Sequence, residues 1–331
     1  MVRRPHWSQL PLAAMLAEYG LRLDRWEEVS SCLKIETDQG LFRLKCFAYP
    51  ASEFPFVYTL VQYLAQQGFR HPEMMRVTLR GQLGLPVADQ FFYLASWQEG
   101  MTGFPLGRDA LLKVGNLVGS LHQASQGFQP RTPVHPARSQ WGIWPTKLMA
   151  RYQDLLKFTR LAEAGVTAFD RLFASQAPAF ITAAQRALLG LEELSCYQEI
   201  VNNDKQAHYV CHRDCIPRNI VTGLDGELIL IDFDNAAYAE RVDDIAKLLS
   251  YFSGWRLENA TTIFTGYSNW FPLREEEIQL IQTFLEFPME YWRLGRLAYE
   301  RNHARYAALR NWTATSSRKA EFVINLERVT S

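Results

Sequence analysis

Hydrophobic and polar positions follow two different rhythms along this chain. In residues 26–37 and 41–47 the apolar side chains fall at about every second position, on either side of a turn at residues 38–40. This alternation predicts two antiparallel segments joined as a hairpin, because successive side chains of a strand point to opposite faces. The same reasoning predicts two more strands, at residues 74–79 and 91–96, with residues 80–90 as their connection.

Helical spacing dominates the rest of the chain. Near the start, Leu12, Leu16 and Tyr19 recur at helical intervals, and Pro11 interrupts the apolar run. We therefore expect an amphipathic helix packed on the strands here, and no secretion signal. Further helices are predicted over residues 54–67, 110–122, 146–163, 166–174, 181–193, 244–252, 275–287, 289–308 and 317–329.

Composition narrows the classes of protein to consider. The 331 residues are 48% hydrophobic, which is enough for two sizeable cores, so disorder is not the expected state. The 35 lysines and arginines balance the 35 aspartates and glutamates. Without a global basic field, and without an apolar run of membrane-spanning length, neither nucleic acid nor a membrane is expected as a partner. The expected location is the cytoplasm, where the five cysteines would remain reduced.

Four polar residues near the middle of the chain carry the candidate chemistry. His212, Asp214 and Asn219 lie within eight residues, and the apolar run 220–231, broken by Gly-Leu-Asp-Gly, predicts a hairpin that returns Asp232 to the same place. One carboxylate can then face a substrate hydroxyl, while the other and the amide hold Mg²⁺ on phosphates. The alternative is an ordinary loop and hairpin with solvated acids.

Zinc is a second alternative for this region, because Cys211, His212 and Cys215 lie close together. A four-coordinate zinc site needs a further pair of ligands at matching spacing, and the sequence offers none. The expectation is that both thiols pack as small apolar groups around the loop.

The motifs HRDCIPRN (residues 212–219) and DFDN (residues 232–235) resemble those of the aminoglycoside phosphotransferase and choline kinase branch of the protein kinase-like fold. Residues 93–100 and 121–128 look most like the CotS-type spore-coat-associated proteins of that branch. The resemblance implies an α+β, bilobal fold with a small antiparallel-sheet lobe and a larger, mainly helical lobe. The implied boundaries are residues 1–96 for the small lobe, 97–103 for the hinge and 104–331 for the large lobe.

The resemblance also implies roles for individual residues, with ATP and Mg²⁺ as cofactors. Asp214 would accept the proton of the substrate hydroxyl, Asn219 and Asp232 would bind the metal, and Lys45, on a predicted strand, would contact the α and β phosphates. Trp97 is expected either beside the adenine ring or in the core between the lobes. Ser96 and Gln98 share the adenine site, and the supporting residues are His212, Arg213, Arg218, Asp234 and Asp244, the last as a buttress of the loop.

Two features depart from the kinase pattern. The turn at residues 28–32 contains no glycine to cover the phosphates, and the helix at residues 54–67 has no glutamate at the depth expected for a partner of Lys45. The nearest acid is Glu53. Two functions are therefore carried forward. One is a kinase acting on a hydroxyl of a small molecule. The other is a weakly active or inactive kinase-like protein in spore-coat assembly, where other coat proteins would be its partners and the coat its location.

Overall fold

A computed structural model describes residues 5–70, 73–102 and 107–329. Its N-terminal part is built on a six-stranded antiparallel sheet with the order β1-β2-β3-β6-β4 and with β5 paired to β6. The predicted hairpin is confirmed, with Cys32 opposite Lys45. The strands are β1 (Leu23–Val29), β2 (Cys32–Thr37), β3 (Gly40–Cys46), β4 (Met75–Arg76), β5 (Leu85–Val87) and β6 (Gln90–Ser96).

One strand of this sheet was not predicted. Residues 80–90 were expected to be a plain connection, but Leu85 pairs with Phe92 and begins β5. Pro86 obscured the pattern, because a proline lacks the N–H that a central strand needs and is tolerated only at an edge. The predicted strand at residues 74–79 shortens to the two residues of β4.

Alternation along β6 divides the core of this part between two helices. Phe92 and Leu94 face a cluster that includes Leu16 of helix α1 (Leu12–Ala17), whereas Tyr93 faces the core that contains helix α2 (Phe54–Gln66). Successive strand residues point to opposite faces, so one strand serves both cores. The amphipathic helix predicted near the N-terminus is thereby confirmed.

The C-terminal part is mainly helical, which confirms the predicted fold class. Short strands β9 and β10 form the predicted hairpin, and β7 pairs with β9, so that the segment after the sheet joins the hairpin directly. The helices are α3 (Arg108–Ser125), α4 (Trp144–Ala164), α5 (Ala168–Glu193), α6 (Tyr197–Gln206), α7 (Val242–Phe252), α8 (Leu257–Ser268), α9 (Glu275–Glu286), α10 (Met289–Arg301) and α11 (Tyr306–Ile324), and the strands are β7 (Met101–Thr102), β8 (Val210–Cys211), β9 (Ile220–Thr222), β10 (Leu228–Leu230) and β11 (Ala237–Tyr238).

Helix α5 corrects the prediction of two separate helices at residues 166–174 and 181–193. Pro178 lies inside α5 and does not end it. Phe173, Ala177, Phe180 and Ala184 are buried along one face, so the helical stripe continues in phase through the proline. Burial of that face outweighs the lost backbone hydrogen bond.

Other boundaries also differ from the prediction. Helix α10 ends at Arg301, seven residues early, because Asn302 adopts the left-handed conformation that commonly ends a helix. Helices α6 and α8 were missed. Helix α8 packs tightly on α3 through glycine, since a Cβ at Gly266 would lie 2.0 Å from the backbone oxygen of Leu112. Within the described residues, no helix is both long enough and apolar enough to cross a membrane.

Candidate active site

The loop between β8 and β9 brings Asp214 and Asn219 together. The Asn219 amide donates from Nδ2 to the Asp214 carboxylate Oδ2 (2.8 Å) and to the Asp214 backbone oxygen (2.9 Å). Asn219 is buried, whereas the Asp214 side chain remains 16% exposed. The carboxylate of Asp214 is therefore partly exposed with one oxygen held in place, and the amide oxygen of Asn219 is left available as an acceptor.

His212 ties this loop to the following hairpin. The backbone N–H of Asp214 donates to His212 Nδ1 (3.2 Å), and His212 Nε2 lies 3.1 Å from the carbonyl oxygen of Ile231. Only the neutral tautomer with its proton on Nε2 satisfies both contacts. Burial lowers the pKa of His212, which favours the same neutral form. Both ring nitrogens are thus occupied by hydrogen bonds within the protein, and the histidine supports the loop.

Asp244 holds the loop from below. Its carboxylate accepts the backbone N–H groups of His212 and Arg213, each at 2.7 Å, and lies 3.3 Å from His122 Nε2. Burial raises the pKa of Asp244, but His122, His212 and the backbone N–H of Arg213 together hold that pKa below its ordinary value. Arg213 adopts a positive φ of 63°. A carboxylate that accepts two consecutive backbone donors stabilises this uncommon conformation.

His122 was expected to be a satisfied residue at a helix end, outside the chemistry, and its surroundings agree. Its Nδ1 lies 2.9 Å from the hydroxyl of Tyr267, and its other nitrogen contacts Asp244. Both nitrogens are therefore bound, and the ring is fully buried.

Lys45 of β3 contacts the two aspartates of the DFDN segment. Its ammonium nitrogen lies 2.5 Å from Asp232 Oδ1 and 2.8 Å from Asp234 Oδ2. Burial lowers the pKa of Lys45, but the two carboxylates outweigh it and raise that pKa overall. Burial likewise raises the pKa of Asp232, but Lys45 and Arg43 hold it well below its usual range. Lys45 and Asp232 are consequently both charged at neutral pH.

These contacts show which acids pair with Lys45, for which the sequence suggested no clear partner. A helix glutamate was expected, and the sequence offered only Glu53. In the structure the acids come from the hairpin instead, and Glu53 binds Arg138, with 2.8 Å between Oε2 and Nε. Arg138 in turn donates to the backbone oxygen of Asp234 (2.7 Å). Glu53 therefore supports the DFDN segment indirectly.

Two residues that sequence reasoning missed complete this part of the site. Arg43 and Glu73 form a buried ion pair, and Glu73 Oε2 accepts the backbone N–H of Asp232 at 2.7 Å. Arg43 Nη2 also lies 3.7 Å from Asp232 Oδ2. Arg43 was recognisable in principle, since it precedes Lys45 by two residues and so shares its strand face. Glu73 lies outside any strand and had no such signal.

The residues expected at the adenine site lie together at the end of β6. The Ser96 hydroxyl accepts the backbone N–H of Met74 (3.1 Å) and lies 3.3 Å from Gln98 Nε2. Trp97 is half-buried and its ring lies 5.3 Å from the Lys34 ammonium. Trp97 belongs to neither of the two hydrophobic core clusters among the described residues. Its packing therefore does not support the alternative that it lies in the core between the lobes. Gly103, the last residue of the predicted hinge, lies outside the described residues.

The zinc alternative also lacks support. Burial raises the pKa of both Cys211 and Cys215 well above the ordinary value, and the Cys211 thiol donates to the backbone oxygen of Glu240 (3.2 Å). His122, Cys211 and Asp244 do lie within metal-binding reach of one another. The Asp244 carboxylate is nevertheless occupied by backbone donors, so this cluster is part of the loop support.

The outer edge of the site carries several cations. Arg218 Nη2 lies 3.5 Å from Asp214 Oδ2, and Lys247 Nζ lies 3.9 Å from Asp214 Oδ1. Arg213 contacts Asp243, with 3.3 Å between Nε and Oδ2. Two cations, Arg218 and Lys247, therefore flank the Asp214 carboxylate.

Comparison with known proteins places the whole arrangement in a family context. The model of the "Phosphotransferase enzyme family" matches residues 32–276, which contain Lys45, the loop at residues 212–219 and the DFDN segment. Spore coat protein S of Bacillus subtilis (strain 168) is 22% identical, and the alignment covers 98% of this chain and 96% of that protein.

Two solved structures share the fold. An aminoglycoside phosphotransferase from Alicyclobacillus acidocaldarius superposes with a TM-score of 0.80 at 20% identity, over 99% of both chains. A spectinomycin phosphotransferase, solved in complex with ADP and spectinomycin, superposes with a TM-score of 0.67 at 14% identity, over 96% of this chain and 97% of that one. The resemblance inferred from the motifs is thus confirmed over nearly the full length.

Proposed function

The chain belongs to the phosphotransferase enzyme family, and we propose that it transfers the γ-phosphoryl group of Mg-ATP to a hydroxyl group of a small molecule. The observation that carries this proposal is the pairing of Asp214 with Asn219 on the loop and of Lys45 with Asp232 beside it. Phosphoryl transfer depends mainly on positioning and charge neutralisation, and these four residues supply both.

The residues present fit a magnesium ion. Mg²⁺ prefers oxygen ligands and typically uses one or two carboxylates together with phosphate oxygens. Asp232, Asp234 and the Oδ1 of Asn219 offer that donor set, and the Lys45 ammonium contacts both carboxylates. Bound there, Mg²⁺ would offset the negative charge of the phosphates. We propose Asn219 and Asp232 as its ligands, with Asp234 as an auxiliary one.

Lys45 is proposed to contact the α and β phosphates. It stands opposite Cys32 on β2, beside the turn at residues 30–31, so backbone groups of that turn can approach the phosphates although it lacks glycine. Ser96, Trp97 and Gln98 are proposed to lie at the adenine ring. The proposed division into residues 1–96, 97–103 and 104–331 places this nucleotide site between the two lobes.

Asp214 is proposed to orient the acceptor hydroxyl and to accept its proton. Its carboxylate is partly exposed, is held by Asn219, and lies on a loop that Asp244 and His212 fix to the rest of the protein. A base held rigidly within hydrogen-bonding reach of the hydroxyl is the geometry that general base catalysis needs. His212, Arg213 and Asp244 act on it through the backbone.

Calorimetric titration with Mg-ATP tests the proposal. Binding that requires Mg²⁺ is expected in the wild type and is expected to disappear in Asp232→Ala. Asp225→Ala is the matched control, because Asp225 is exposed in the turn of the same hairpin. An ADP-release screen over hydroxyl compounds then tests turnover. If the wild type shows no Mg²⁺-dependent nucleotide binding, the kinase proposal fails.

The full-length similarity to spore coat protein S favours a second candidate function, in spore-coat assembly, with other coat proteins as partners and the coat as location. In that case nucleotide binding would serve docking or folding, and Asp214 would be dispensable. A sporulating host that carries Asp214→Asn in place of the wild type distinguishes the two. An unchanged coat, together with nucleotide binding but no turnover, would favour the assembly role.

A further inference from the structure

We propose that the acceptor is an anion, namely a hydroxyl compound that carries a carboxylate or phosphate group, and that a cluster of cations beside Asp214 binds that group. This inference rests on the proposed function, because Asp214 marks where the acceptor hydroxyl lies. The cationic cluster consists of Lys147, Arg151, Arg213, Arg218 and Lys247.

Three of these cations lie on or next to the catalytic loop. Arg218 and Lys247 contact the two oxygens of Asp214 at 3.5 and 3.9 Å, and Lys247 also donates to the backbone oxygen of Arg213 at 3.3 Å. The Arg218 side chain is 72% exposed and the Lys247 side chain 33% exposed. Both can therefore turn from Asp214 towards a ligand.

The other two cations come from helix α4. Lys147 and Arg151 are one helical turn apart and thus share a face. Each stacks over a tryptophan: the Lys147 ammonium lies 4.3 Å from the Trp144 ring, and the Arg151 guanidinium lies 4.6 Å from the Trp292 ring. Among the described residues, neither has a carboxylate within ion-pair distance. Both nevertheless lie close enough to Asp243 and Arg213 for the charges of those residues to affect their pKa values.

The acidic residues near the cationic cluster are already bound by other groups. Asp243 is already bound by Arg213, and Asp154 accepts the indole N–H of Trp292 at 2.9 Å. Glu240 accepts the backbone N–H of Gly142 at 2.7 Å, and burial raises its pKa. None of these acids therefore forms an ion pair with Lys147 or Arg151, and the positive charge of these two residues is left without a carboxylate partner among the described residues.

The uncompensated positive charge affects the ionisation of Lys147. Burial and the neighbouring cations lower its pKa from 10.5 to about 8, against a single opposing acid. Lys147 also lies near the N-terminus of α4, whose first turn contains no acid, although a helix N-terminus attracts negative charge. An anion placed between Lys147, Arg151 and Lys247 would compensate the charge of Lys147 and would supply negative charge near the N-terminus of α4. An amine would add a further positive charge and would be repelled.

Matched acceptors that differ only in charge test the inference. One series is glycerol, 2-amino-1,3-propanediol, glycerate and glycerol 3-phosphate, and a second is glucose, glucosamine, gluconate and glucose 6-phosphate. Each is titrated calorimetrically into protein saturated with Mg-AMP-PNP, so that the nucleotide site is filled and turnover is not required. Binding of Mg-AMP-PNP itself reports on the proposed function separately.

In at least one series the acids are expected to bind about ten- to a hundredfold more tightly than the neutral compound, and the amine most weakly, since a charged hydrogen bond has that effect on affinity. Lys147→Met and Arg151→Met should each remove most of that preference while the affinity for Mg-AMP-PNP stays unchanged. Lys157→Met, an exposed position on the same helix, is the control and should keep the preference. The inference is overturned if the neutral compound or the amine binds as tightly as the acid, or if no acid binds at millimolar concentration.

Discussion

The backbone N–H of Asp232 donates to the carboxylate of Glu73, with 2.7 Å between the nitrogen and Oε2. Asp232 adopts a left-handed conformation with φ 72° and ψ 64°, which costs an ordinary residue about 1 kcal/mol. Glu73 therefore helps to hold the proposed metal-binding residue in a conformation that it would not adopt alone. The same glutamate neutralises Arg43, so one buried carboxylate serves both strand β3 and the hairpin.

We predict that Glu73→Ala lowers the free energy of unfolding by about 3 kcal/mol, because removal of one partner leaves a buried charge uncompensated. Chemical denaturation measures this loss. Mg²⁺-dependent nucleotide binding should weaken as well, since Asp232 loses its backbone acceptor. Arg43→Met combined with Glu73→Met is the control and should recover part of the stability. A single variant as stable as the wild type would contradict this role of Glu73.

Asp214→Asn is predicted to lower kcat by about 10²- to 10⁴-fold, the usual contribution of a general base. The asparagine can still accept the Asn219 amide through its oxygen, so the loop should keep its shape. Mg-ATP affinity, measured by calorimetry, should remain that of the wild type, because Asp214 lies on the acceptor side. Loss of nucleotide affinity in parallel with kcat would show instead that the substitution distorts the site.

The sequence predicted those parts of the site whose geometry is local. Asp214 and Asn219 are five residues apart on one loop, and a short hairpin fixes where Asp232 returns, so spacing alone brings the three together. The alternation of β2 and β3 likewise predicted the hairpin that carries Lys45. In each case one or two neighbouring elements determine the contact.

Contacts between distant segments were not predictable in this way. Glu73 reaches Asp232 across 159 positions, and Lys45 reaches it across 187. The expectation of a helix glutamate for Lys45 transferred a family pattern to a position where this chain uses the hairpin acids. Local propensity also misjudged Pro178, because burial of the α5 face outweighs the proline. Tertiary packing decided these points.

Asp244→Asn is predicted to reduce stability by about 2 to 4 kcal/mol, since an amide accepts the two backbone donors of His212 and Arg213 less well and presents an N–H to one of them. The loop should loosen, so kcat should fall while nucleotide affinity changes little. Thermal denaturation and steady-state kinetics measure the two effects. Asp243→Asn, at the adjacent and partly exposed position, serves as the stability control. Equal stability of both variants would contradict the buttressing role.

Lys147 provides a prediction that depends on pH. Its pKa is lowered from 10.5 to about 8 by burial and by neighbouring cations, so the unfolded chain binds this proton more tightly than the folded one. Stability therefore carries a full penalty below pH 8, and the penalty is relieved as the pH rises from 8 to 10.5. Lys147→Met removes the charge and keeps much of the side-chain volume. It should melt at a higher temperature than the wild type at pH 7, and the difference should shrink over that interval.

The control for this comparison is Lys157→Met, on an exposed position of the same helix, which should differ from the wild type by a constant amount across the range. An anion in the proposed acceptor site should offset the penalty, since it compensates the charge on Lys147. At pH 7, glycerol 3-phosphate should therefore raise the melting temperature of the Mg-AMP-PNP-loaded wild type more than that of Lys147→Met. A wild type more stable than Lys147→Met at pH 7 without ligand would show that the charge of the Lys147 ammonium is already compensated. The cationic cluster would then have no uncompensated positive charge to attract an anion to the site beside Asp214.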